Sequence, residues 1–596
     1  MNRRRTGLAA GTVLLALIAG CGIPDGTEVQ VDGPVATPLS GRSGASGAEL
    51  PTRLSTVDPG QFVVNYLKQA AGETGGAYER ARGFIAPEDR ELLRVRQGNE
   101  VTINIVRIAE TVPVAVPDVV TNRSRVTLPV QQVGVLHADG SITPPLPAAP
   151  SSYTFTVGQR PSAVPGGRED SGLWLFRPPD TLLMSTDALR RYYRSQTIYW
   201  WSGVDRPVLV PDRRYLADVV PVERRATEVL GWLTGGPPDW LTGTVRPLPD
   251  GTKVVGNVPQ TEDRLEVPLS APAGSLDDPA ELDRLAVQLA WSLPDFHGDI
   301  ELKIRNQTPT TGDADDFRQQ VKPADRAGDP PQRYVVNGGT VRPMTGAEPA
   351  PELVNNQQNR NVVAAGATRN QGTFAVALVT TNGSTSRRRL QVGVGLVPVT
   401  MSRTSTEAFA SMGRPVWLKG TDPAAPVGLV VADGKLRRFD PTAVLTKVAG
   451  VPDMTAVGVS FDGRRIAYTA ADGGLYVAAL STDGGTLTVG PPRRLAISLR
   501  KATAVDWMSE DSLVVAGQGA DGQTAVYAVA VDGTEENPLT PPGGKVTQVV
   551  GYPNNQVMAE ANGAASMGFG QFRRVEPYEV PGAAAGSSLT APFFLY

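Results

Sequence analysis

Three side chains in this sequence are of the kinds that carry nucleophilic, acid–base or metal chemistry near neutral pH: Cys21, His137 and His297. The 596 residues hold no other cysteine or histidine. A single thiol excludes an internal disulfide framework and any cysteine-rich zinc or iron–sulfur site. His297 stands between Asp295 and Asp299, and one imidazole with two carboxylates is a set that can bind a divalent cation. These residues fall in a short helix-to-strand loop where the two carboxylates do not readily converge, so no metal is assigned. His137 adjoins the turn Asp139-Gly140 and reads as a solvated hairpin residue. The chain has no G-x-S-x-G, no H-E-x-x-H and no Cys/His pair, so no catalytic residue and no cofactor are assigned. The expectation is a protein that is not an enzyme.

The surroundings of Cys21 give its sulfur a different use. Arg3, Arg4 and Arg5 precede an apolar run from Leu8 to Ala19, which has signal-peptide length and is too short to span a bilayer. The residues before the thiol are Ile18, Ala19 and Gly20. This resembles the bacterial lipobox, in which small residues let the scissile bond enter a narrow peptidase site and the cysteine sulfur takes diacylglycerol. The resemblance implies that residues 1–20 are removed and that a covalent lipid on Cys21 holds the mature chain to the membrane. Residues 21–51 are rich in Gly, Pro, Ser and Ala without a hydrophobic period, and read as a flexible tether. A coil of that length reaches about 30 Å.

What the tether carries is too long for one core, and two to four domains are expected. The 64 glycines and 51 prolines favour turn-rich β architecture. A net charge of −3 gives no electrostatic footprint for nucleic acid.

Residues 52–203 read as helices followed by strands. Asp58-Pro59 opens a helix, Ala77–Phe84 forms a second, and Pro87 opens a third; strand-like runs follow at 101–110, 125–136, 152–157 and 173–179. That order resembles the nuclear-transport-factor-2-like (NTF2-like) cone. The segment closes on an aromatic cluster in which Tyr199, Trp200 and Trp201 form either a partner surface or an inter-domain packing seam.

Residues 204–310 read as a second α+β domain. A strand pair leads to a helix ending at Gly236-Pro237, then two strands around Pro249-Asp250-Gly251-Thr252 and Val267-Pro268-Leu269-Ser270. The helix QLAWSLPDF (288–296) and a last strand complete it. These landmarks resemble the GerMN domain of spore and cell-envelope proteins. Residues 311–324 read as a linker.

From 325 to 596 the chain repeats. An apolar strand runs into a turn at Asn337, Asn382, Asp433, Asp472, Asp521 and Asn562, and a second strand leaves it, at intervals of about 45 residues. Runs at 414–420, 455–463, 503–512 and 546–555 would line a central channel. The pattern resembles WD40- and TolB-like propellers and predicts five to seven blades, with Asp462 and Asp506 as structural polar positions.

The expected fold class is therefore multidomain: two α+β domains, NTF2-like then GerMN, followed by an all-β propeller. Lipobox, α+β domain, GerMN domain and propeller in this order resemble the actinobacterial LpqB lipoprotein family. The resemblance implies an accessory to a two-component system, on the outer face of the cell membrane. Its implied partner is the extracellular region of an MtrB-like sensor histidine kinase, and its implied role is in cell-envelope homeostasis and division. The residues alone leave other functions open: a sensor of an envelope small molecule or glycan, or a cell-wall hydrolase working through paired carboxylates.

Overall fold

Asp58 accepts a hydrogen bond from the Gln61 amide and Pro59 takes the first helical position, which starts α1 (Pro59–Tyr66) and buries Phe62, Val63 and Tyr66. α2 (Ala77–Arg82) follows. Pro87–Leu92, expected as a third helix, winds only as a 3-10 helix and buries none of its residues. Without an apolar face to pack, little extends it. The computed structural model describes residues 49–596 except 109–112, 119, 146–148, 161–171, 204–206, 276–277, 306, 327–329, 347, 383–384, 420 and 483–485. Cys21, with Ile18, Ala19 and Gly20 before it, lies outside the described residues, as does nearly all of the tether.

The first sheet contains β1 (Thr102–Ile108), β2 (Ala115–Asp118), β3 (Arg123–His137), β4 (Ile142–Thr143), β5 (Ser152–Gln159), β6 (Leu173–Phe176) and β7 (Leu182–Ser185). Its order is β6-β5-β3-β1-β7, with β2 and β4 both paired to the long β3. The Ser185 hydroxyl caps α3 (Thr186–Tyr192), and the chain runs on into β8 (Tyr193–Trp201).

Expected as the end of the first domain, β8 instead pairs along its whole length with β9 (Leu209–Ala217), forming a two-stranded ribbon with the segment beyond. Its aromatic residues are a correction to the partner-surface reading. Tyr199, Trp200 and Trp201 retain 1, 0 and 7% of their exposure, so they pack a seam and offer no surface. Such large rings carry too much apolar area to leave in water when a helix lies alongside.

That helix is α5. After β9 the chain forms α4 (Val222–Gly235), β10 (Arg264–Leu269), α5 (Pro279–Ser292), β11 (Asp299–Ile304) and β12 (Gln307–Asp313). β10 and β11 pair in parallel across α5, and β12 returns antiparallel on β11. The Trp201 indole donates to the Arg284 carbonyl at 2.8 Å, and the Ser292 hydroxyl accepts the Tyr199 amide at 3.0 Å. The strand expected near 245–256 holds only isolated bridges, because Pro247 and Pro249 withhold ladder donors.

Residues 311–324 are likewise not a linker. Asp313 caps α6 (Ala314–Gln320), Phe317 is buried, and the Arg318 guanidinium donates to the carbonyls of Ala290, Leu293 and Phe296. One hydrophobic core runs through both α+β domains.

The described residues of the remaining chain form six blades around an axis, the first two joined in one seven-stranded sheet. The first combines β13 (Gln332–Asn337) and β14 (Thr340–Pro343) with the C-terminal strand Leu589–Leu595, which lies innermost and closes the ring. The other innermost strands are Val362–Asn370, Val416–Trp417, Met454–Val459, Lys501–Trp507 and Val546–Gly551, and each touches the next around the circle. The six turns of the repeat all join the second and third strands of a blade. At Asp433-Gly434 and Asn562-Gly563 both residues take the positive φ that a tight hairpin needs (47° and 74°, 49° and 70°). The axis is filled by an Arg414–Asp506 ion pair at 2.7 Å and by the side chain of Tyr596, whose hydroxyl donates to the Gly551 carbonyl. All the described residues belong to one compact unit.

Candidate functional site at the junction of the domains

Strand β9 reads Leu-Val-Pro-Asp-Arg-Arg-Tyr-Leu-Ala, and every residue of it is buried, charges included. Alternate side chains of a strand point to opposite faces, and β9 sends a different set of charges each way.

One face meets the propeller. Arg213, with a side chain 1% exposed, lies 3.2 Å from Asp511, 3.5 Å from Asp532 and 2.5 Å from Glu535. Two residues on, the Tyr215 hydroxyl donates to Asp532 at 2.9 Å and lies 2.6 Å from the Thr534 hydroxyl. On β8, Tyr199 stands opposite Pro211 on the same face and donates to Glu510 at 2.7 Å. The acceptors come from two turns on one side of the ring, before Ser512–Gln518 and before Glu536–Leu539.

The opposite face meets the first domain. Arg214 bridges Asp212 and Asp139, each at 2.9 Å. The hairpin tip at Gly140 accepts the Tyr215 amide at 2.8 Å and takes φ = 73°. A Cβ there would lie 2.7 Å from the Tyr215 carbonyl oxygen, so only glycine allows this approach. Around the edge, Arg107 pairs with Glu536 at 3.0 Å and donates to the Ala496 and Gly533 carbonyls. Arg493 of the propeller donates to the Ile142 carbonyl at 2.6 Å and lies over the Trp240 ring.

Electrostatics explain why a guanidinium survives here. Burial opposes the Arg213 charge, but Tyr215, Asp532, Asp511 and Glu535 together outweigh it and hold its pKa well above the ordinary value. Burial pushes the Glu535 carboxyl up while Arg213 pulls it down, and burial also raises Tyr215. The charges answer one another across domain boundaries, so the arrangement fixes positions. Tyr215→Phe should cost about 1–2 kcal/mol, because Asp532 loses a donor inside a dry site. A lowered thermal midpoint with unchanged secondary structure checks this.

The residues picked out for chemistry lie elsewhere. His137 lies 2.9 Å from the Thr143 hydroxyl. His297 does not meet Asp295 or Asp299; its neighbour is Asp315 at 3.2 Å, itself paired with Arg318. Asp295 sits 3.5 Å from Arg194, and Asp299 opens β11. Among the described residues no group of three His, Cys, Asp or Glu side chains could hold a metal ion. Asp462 locks its own turn by accepting from Ser460, the Arg464 amide and Arg465.

Comparison with known proteins follows the same division of the chain. Residues 328–572 match the family described as "Lipoprotein LpqB beta-propeller domain", and residues 197–308 match the GerMN family described as "Sporulation and spore germination". Lipoprotein LpqB of Thermobifida fusca (strain YX) is 24% identical over 609 aligned residues, which cover 89% of this chain and 91% of that protein. These matches together support a relationship to the LpqB lipoprotein family. The LpqB relationship thus extends through the first α+β domain as well as the two matched ones. Among solved structures, TolB from Acinetobacter baumannii is similar at a TM-score of 0.31 and 12% identity, over 58% of this chain and 98% of that one. Neither of the two matched domain families is an enzyme family.

The junction residues were missed in the sequence. Asp-Arg-Arg inside an apolar strand reads as a solvated stretch, and Arg213 and Asp511 are 298 residues apart. The available signal was the pairing of Arg213 and Tyr215 at strand spacing, on a β-strand with apolar residues at both ends.

Proposed function

We propose that this protein is a lipid-anchored accessory of a membrane sensor histidine kinase of the MtrB type, working on the outer face of the cell membrane through its surfaces. Lipid on Cys21 confines it to the plane of its partner and raises their effective concentration without tight intrinsic binding. One observation carries the reading: β9 fixes both α+β domains and the propeller into a single body through buried charges. A body held this way presents its surfaces in a set arrangement, so it can favour one kinase conformation by its difference in affinity for the two. The first domain, with helices packed on a largely antiparallel sheet, supports the NTF2-like reading and serves as a docking block. In cells lacking the protein, the phosphorylated fraction of the cognate response regulator should shift, and the intact chain should restore it. An unchanged phosphorylated fraction on deletion counts against the accessory role.

A second reading, sensing of a small envelope molecule or glycan, has one feature behind it. A cleft of about 320 Å³ lies where Val208 and Ala324 face the propeller, lined also by Arg369, Lys419, Asp422 and Phe461. A ligand-dependent rise in melting temperature with envelope fragments supports it, and silence across them counts against it.

A further inference from the structure

We infer that one end of the first domain's sheet is a docking surface for anionic lipid headgroups, pressed onto the membrane beside the anchor; this rests on the reading of Cys21 as lipidated. Strand register locates that end. Asp118 of β2 pairs with Arg123 of β3, Arg123 with Gly158 of β5, and Gly158 with Trp174 of β6, so these four residues form one row across the sheet. Beyond the row lies the tip of the β2–β3 hairpin. The chain arriving from the tether reaches the same end: Arg53 lies over the Trp174 ring at 3.8 Å and donates to the Leu173 carbonyl. Leu54 packs against Gly172.

The side chains gathered here are of the kind that enter a lipid interface. Val120 at the hairpin tip is 94% exposed, Val114 and Val116 on and before β2 are 80 and 63% exposed, and Leu54 and Val57 at the incoming chain are 61 and 89% exposed. Water is a poor medium for five such groups at one end of a domain, and β2 is a short outer strand whose apolar residues need cover. Arginines stand among them. Arg123 lies over the Phe176 ring, Arg125 is exposed opposite Val116, and Arg160 pairs with Glu88 at 3.0 Å. Asp118 is occupied by the Val120 amide and the Thr121 hydroxyl, and Asp58 by the cap of α1. An apolar tip with Arg123 and Arg125 beside it suits a surface with acyl chains below and phosphates above.

The tether selects the occupant. About 30 residues of Gly-, Pro- and Ser-rich composition reach about 30 Å as a coil, and the chain that follows them touches this end through Arg53. The face beside the chain's entry at Arg53 is the one that carries the exposed valines.

The test uses the single thiol. The chain from Cys21 onward, made without lipid, is coupled through that thiol to a maleimide lipid in vesicles of phosphatidylcholine and phosphatidylglycerol. A diazirine amino acid replaces Val120, or Val444 in the propeller as control. Lipid adducts at Val120 should exceed those at Val444 at least fivefold, and should fall when phosphatidylglycerol is omitted or when Val116→Glu is added. Equal yields at the two positions, or adducts at Val120 only to a second protein copy, would overturn the surface; yields unaffected by phosphatidylglycerol would overturn the headgroup preference. Chemical coupling supplies the anchor, so this outcome does not depend on whether cells lipidate Cys21.

Discussion

Arg213→Met should destabilise the folded chain by about 3–5 kcal/mol, the cost of leaving buried carboxylates without their counter-charge. Asp511, Asp532 and Glu535 all face this one guanidinium, and all three belong to propeller turns. The damage should therefore appear as lost coupling between the propeller and the α+β domains. Unfolding followed calorimetrically should split from a shared transition into two.

The pH dependence of that variant is the sharper reading. Without Arg213 the three carboxyls sit in a dry site, where their folded-state pKa values rise above the unfolded ones. An acid with a raised folded-state value is destabilising above that value, and the penalty disappears as pH falls toward its unfolded value near 4. The variant should regain stability between pH 7 and pH 5. The native protein should gain much less, because Arg213 still pulls against burial at Glu535. A stability gap between the two proteins that stays constant from pH 7 to 5 would show that the carboxylates are not what the arginine answers. Adding Asp511→Asn, Asp532→Asn and Glu535→Gln to Arg213→Met should recover much of the loss at pH 7, since no buried charge is then unpaired.

The second large effect concerns Cys21. Each buried CH₂ of an acyl chain contributes about 0.8 kcal/mol, so two or three chains hold for long times and none holds at all. Cys21→Ala should move the protein from the membrane fraction to the soluble fraction almost completely. The folded domains should be untouched, with the same thermal midpoint as the intact chain released by detergent. Full retention in the membrane fraction after this substitution would contradict lipid anchoring.

The propeller was readable because its signals are local. Asp433-Gly434 and Asn562-Gly563 need positive φ, and the alternation around them needs only neighbouring residues to be recognised. The helix start at Asp58-Pro59 was readable for the same reason. What failed was decided at a distance. Tyr199, Trp200 and Trp201 could have faced a partner or a seam, and only the position of α5 and of Glu510 puts them inside. Residues 311–324 look like a linker because their polarity serves capping and carbonyl binding, as Asp313 and Arg318 show. His297 and Asp315 meet through the return of β12 onto β11, a pairing that no local spacing announces.

In-cell photocrosslinking from exposed positions on the propeller and the GerMN domain tests the adaptor directly. Probes at Val363, Val444 and Tyr578 in the propeller, with Val222 and Val255 in the GerMN domain, sample solvent-facing sites. The expected result is capture of the extracytoplasmic region of a sensor histidine kinase from one contiguous set of positions, lost when Cys21→Ala is combined with the same probe. Capture confined to soluble envelope proteins or wall polymer, or kinase capture that persists unchanged in the Cys21→Ala background, would contradict it.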